Sequence, residues 1–75
     1  MKELVLYIAK SLADKPDEVK ATQTEEDHAV VVNLVASDSD KGRIIGKQGK
    51  VIRAIRTLAA AALAKTNKKA IVNVE

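Results

Sequence analysis

Seventy-five residues with no cysteine and a single histidine suit one small domain, near the lower size at which a chain folds without a staple, and exclude disulfides and thiolate metal sites. The formal net charge of +3 is unevenly spread: the first forty residues carry four lysines against nine acidic residues, and the other thirty-five carry nine lysines or arginines against Glu75 alone. A basic half fits a polyanion partner or a merely solvated face, and the lone aromatic residue, Tyr7, argues against modules that stack bases on exposed rings.

Along the chain, Leu4, Val5, Ile8 and Leu12 recur at helical spacing with Tyr7 and Ala9 beside them. Residues 2–14 are therefore expected as a helix, closed by Lys15-Pro16-Asp17 because the residue before proline resists helical backbone. From Glu18 to Thr24, Val19 and Ala21 alternate with Lys20, Thr22 and Thr24 as in a half-exposed strand, and Glu25-Glu26-Asp27 supplies a turn beside His28, read as an ordinary turn residue. Ala29 to Val35 is a β-branched run with Val30, Val32 and Leu34 on one face, the more buried partner of a hairpin.

Ser37-Asp38-Ser39-Asp40 offers several N-cap side chains, after which Lys41 to Ile45 is expected as a short helix that Gly46 ends. Gly46 to Gly49 makes a tight turn. Lys50 to about Lys65 has the strongest helical pattern, with Ile52, Ile55, Ala59, Ala62 and Leu63 inward and Lys50, Arg53 and Arg56 opposite. Asn67-Lys68-Lys69 breaks it, and Ile71, Val72 and Val74 read as a closing strand. The order α-β-β-α-α-β predicts an α+β two-layer sandwich: a three-stranded sheet with helices over one face.

Leu4 to Ala9 is too short to span a bilayer, and Leu12-Ala13-Asp14-Lys15 is a poor signal-peptide end, so an unexported, cytoplasmic protein without a membrane partner is expected. Gly42, Gly46 and Lys47 loosely match a nucleotide-binding P-loop, but only three residues separate the glycines and Gln48 stands where a Ser or Thr is needed. No paired acid and base, partnered nucleophile or metal cluster occurs, so neither an enzyme nor a cofactor or metal is expected.

The informative stretch runs from Gly42 to Ile55. Ile44, Ile45, Gly46, Gly49, Ile52 and Ile55 fill every fixed place of the KH signature: two aliphatics, a glycine, two variable residues, a glycine, then aliphatics at the third and sixth positions beyond. The whole chain resembles the small stand-alone bacterial KH proteins of the KhpA family. The match takes in the leading helix, the Pro16-Asp17 junction, the Gly42-to-Gly49 core, the following Ile-x-x-Ile-Arg-Thr stretch and the final strand.

That resemblance implies a type II KH fold over residues 1–75 and a homodimeric RNA chaperone in post-transcriptional control, able to pair with the larger KhpB (Jag-like) KH protein. It also implies single-stranded RNA held at Gly46, Lys47, Gln48 and Gly49. Two glycines let a sugar-phosphate strand approach closely, and the next helix presents free N–H groups and its positive end to that strand. Lys47, Lys50 and Arg43 would contact phosphate, with Arg53 and Arg56 further along the helix as phosphate contacts or as solvated arginines. An apolar groove beside the turn would hold bases, read by backbone groups of an adjoining strand, with Ile45 and the second strand around Val30 to Leu34 as candidates.

Between Arg56 and Lys65 the helix carries no charge, and Leu58, Ala60, Ala61 and Ala64 point away from the face that covers the sheet. This suggests a symmetric dimer through close helix–helix approach; alternatively, the alanines are simply good helix formers on an exposed face. Two functions follow: a single-stranded RNA-binding module, or a dimerisation adaptor for a larger KH partner with residual nucleic-acid binding.

Overall fold

Hydrophobic periods of 3.6 and 2 along one short chain leave each helix and strand with one face to bury, and a layered arrangement buries them together. The computed structural model describes residues 1–75 and has the expected order: α1 (Lys2–Leu12), β1 (Lys20–Glu25), β2 (Ala29–Val35), α2 (Asp38–Ile45), α3 (Lys50–Ala62) and β3 (Lys69–Val74). Single 3-10 turns lie at Pro16–Glu18 and Lys47–Gly49.

The tight hairpin makes β1 and β2 antiparallel, whereas the crossover through α2 and α3 returns β3 parallel to β2. β2 is thus the central strand, in the order β1-β2-β3. Ala21 stands opposite Leu34 and Val32 opposite Val72. Val30, Val32, Leu34 and Val72 are buried, and the core packs Val32, Leu34 and Val72 with Val5 and Ala9 of α1, Ile44 of α2, and Ile52, Ile55 and Ala59 of α3. Each such Val, Leu or Ile contributes about 1.5–3 kcal/mol when fully buried. On the opposite, wetter face, Asn73 donates to Asn33 Oδ1 at 3.2 Å and Val35 and Ile71 stay exposed.

The boundaries move for local physical reasons. α1 stops at Leu12, two residues early, because the chain turns out to give the Asp14 and Lys15 amides to a buried carboxylate, Asp40. β1 begins at Lys20 because Pro16–Glu18 winds into the 3-10 turn, leaving Val19 as a buried plug before the strand. α2 starts earlier than Lys41, at Asp38: Ser37 is its N-cap and its Oγ accepts from the Asp40 amide at 3.4 Å. α3 ends at Ala62 because both the amide and the hydroxyl of Thr66 donate to Leu63 O, at 2.9 and 2.8 Å, and turn the chain. Ala62, expected inward, is exposed near that end. No helix is long and apolar enough to cross a membrane.

Candidate nucleic-acid interface

The turn between α2 and α3 is built from backbone conformations that side chains resist. Gly46 (φ 77°, ψ 171°) lies in a region open almost only to glycine, and Gln48 (φ 58°, ψ 26°) and Gly49 (φ 74°, ψ 16°) are both left-handed. The Gly46 amide closes the last turn of α2 on Gly42 O at 2.8 Å, and the Gly49 amide donates to Gly46 O at 3.1 Å. A Cβ on residue 46 would collide with the side chain and backbone of Val51, whereas one on residue 49 would make only ordinary contacts.

This geometry opens the N-terminus of α3. No side chain caps it and no acidic residue stands in its first turn, unlike α1 with Glu3 and α2 with Asp38 and Asp40. The positive helix end, with leading amides free of a side-chain acceptor, favours an anion. Lys47, Gln48 and Lys50 project into solvent around it, and neither lysine enters an ion pair. Ile45, exposed to 39%, adds an apolar surface just before the turn.

The arginines are placed differently from one another. Arg43 reaches away from the turn: its terminal nitrogen lies 2.9 Å from Asp14 Oδ2 and its Nε 3.6 Å from Asp40 Oδ1. Arg53 folds back on the turn, donating from Nε to Gly49 O at 3.3 Å and from a terminal nitrogen to Gln48 O. Arg56 donates from Nε to Val72 O at 3.1 Å, on β3.

The strand order corrects one expectation. β2, with Val30 to Leu34, cannot offer backbone groups to bases, because β1 and β3 occupy both of its edges. The free edge beside α3 belongs to β3, where Arg56 already covers one carbonyl.

A family model described as the KH domain of KhpA/KhpB matches residues 2–74. The chain belongs to this family. Curated relatives called RNA-binding protein KhpA are 46% identical over 74 residues in Clostridium perfringens (99% of both chains) and 49% identical over 67 residues in Borreliella burgdorferi (89% of this chain, 82% of the relative). The Clostridium acetobutylicum protein of the same name is 42% identical over 74 residues, again 99% of both chains.

Within this KH fold, one structural joint at the start of α2 escaped sequence reasoning. Asp40 is fully buried and accepts from the Asp14 amide at 2.9 Å and the Lys15 amide at 3.0 Å, tying the end of α1 to the start of α2. The Asp14 amide does most to hold its carboxyl below the usual aspartate range; burial opposes this, and the Lys15 amide, the Ser37 hydroxyl and Arg43 assist. Its only sequence signal was membership of a run of N-cap residues, which gives no hint of a partner twenty-five residues upstream.

The α3 face expected to pair with a second copy is open. Leu58 is 51% exposed, Ala60 and Ala61 are exposed, and Ala64 is exposed in the turn just beyond the helix end.

Proposed function

We propose that residues 1–75 act as one KH domain that binds single-stranded RNA by its backbone at Gly46 to Gly49. The observation that carries this reading is the acid-free N-terminus of α3, which no side chain caps, presented by a turn with three positive-φ residues and flanked by Lys47 and Lys50, neither of them in an ion pair. The printed name of the relatives, RNA-binding protein, supports it. The wound backbone and its glycines let phosphate approach the α3 amides, the lysines add long-range attraction, and Ile45 offers a base an apolar seat beside the clamp.

Titrating a labelled single-stranded oligonucleotide at several salt concentrations tests this. Affinity should fall with a log–log slope of about −0.7 for each phosphate neutralised; a flat response would mean that the surface is an adaptor for protein and not a clamp for RNA.

The finer reading is a homodimeric, cytoplasmic RNA chaperone without enzymatic activity. Small residues around the exposed Leu58 favour close approach of a second α3, either from another copy or from a KhpB-type partner. Two linked weak sites on one long RNA then bind more tightly than either alone.

A further inference from the structure

We propose that Arg53 is a positioning residue for the Gly46-to-Gly49 turn and not a phosphate ligand. The inference rests on the RNA-binding reading above and specifies which of its basic residues touches RNA.

Gln48 is the chain's only non-glycine residue at positive φ, and it is followed by a second left-handed residue, Gly49. A residue with a Cβ resists that conformation, so something outside the backbone must favour it. The guanidinium of Arg53 is placed to do so. It donates from Nε to Gly49 O and from a terminal nitrogen to Gln48 O, joining the carbonyls of the two left-handed residues with one rigid fork. It also packs beside Gly49: a Cβ built there would stand 3.8 Å from Arg53 Nε and 3.9 Å from its terminal nitrogen. The same contacts neutralise two carbonyl dipoles beside the surface offered to phosphate. Lys47 and Lys50 make no such contacts and remain free for RNA.

A lysine at position 53 keeps the charge but offers its donors from a single point on a flexible stem, without the planar fork that fixes both carbonyls at once, so it holds them less rigidly. The test compares wild type with Arg53→Lys, Arg53→Gln and Lys47→Gln. In the free proteins, NMR backbone order parameters of Gln48 and Gly49 should fall from about 0.85, typical of rigid backbone, to below about 0.6 in both Arg53 variants, with β2 unchanged. Both variants should bind a short single-stranded RNA about tenfold more weakly with an unaltered salt slope, whereas Lys47→Gln should make the slope shallower by about 0.7. Adding Gln48→Gly to Arg53→Lys should recover part of the affinity by removing the resisting Cβ.

Unchanged order parameters in the two variants overturn the proposal whether or not RNA binds. So does full affinity in Arg53→Lys together with a slope shallower by about 0.7 in Arg53→Gln, the signature of a lost phosphate contact. Failure of the wild type to bind any RNA sinks the RNA-binding reading alone, since the order parameters still decide whether Arg53 holds the turn.

Discussion

Val51 occupies the space that a side chain on residue 46 would need: a Cβ there would lie 2.7 Å from Val51 Cβ and 2.9 Å from its backbone nitrogen. The start of α3 is therefore packed against the bare Cα of Gly46, and this contact sets how closely the two helices of the turn approach. Gly49 has no such neighbour and is glycine for its left-handed backbone alone.

The two glycines should respond differently to alanine. Gly46→Ala combines overpacking with a backbone region closed to L-residues and should cost about 3 kcal/mol or more, whereas Gly49→Ala should cost about 1–2 kcal/mol. Adding Val51→Ala to Gly46→Ala relieves the collision but not the backbone, so only part of the loss should return. Urea unfolding of the variants measures this; equal costs for the two glycines would contradict the packing argument.

Asp40 makes the joint between α1 and α2 dependent on an ionised carboxylate. Its folded-state pKa is lowered, so its contribution to stability is complete above the ordinary aspartate value of about 4 and is lost as the pH falls below that. Asp40→Asn keeps the shape but replaces one acceptor with an amide donor, leaving the Asp14 or Lys15 amide unpaired. The variant should melt at a lower temperature near neutral pH, and the gap to wild type should narrow in acid. A gap that stays constant down to pH of about 2 would show that the carboxylate's charge is not what holds the joint.

Much of this was legible in the sequence because it depends on local patterns. The spacing of Ile44, Ile45, Gly46, Gly49, Ile52 and Ile55 marked the turn, and the alternation of Val30, Val32 and Leu34 marked the inner face of β2. What depends on distant partners was not legible. No local signal showed that β3 would return on the far side of β2 and leave its own edge free, or that the carboxylate of Asp40 would collect the amides at the end of α1. The wheel put Arg53 on the outer side of α3 correctly, but a wheel cannot show a side chain folding back along its helix to the carbonyls of Gln48 and Gly49.

Leu58 tests the proposed pairing of α3 helices. Being half exposed, it should tolerate Leu58→Glu with little loss of fold, while the buried charge would disrupt a symmetric contact. Sedimentation should show a dimer for wild type and a monomer for the variant, which should lose more affinity for a long RNA than for a short oligonucleotide. A monomeric wild type at high concentration would remove this interface from the account.

The most direct test of the central claim is fluorescence anisotropy of a labelled single-stranded RNA with wild type and with the Lys47→Asp, Gln48→Asp double variant, once both are shown to be folded. Aspartate replaces an unpaired lysine and a solvent-facing glutamine beside the open end of α3, so the folded variant should lose binding. Wild-type affinity in that variant would place the RNA contact elsewhere and contradict the turn as the clamp.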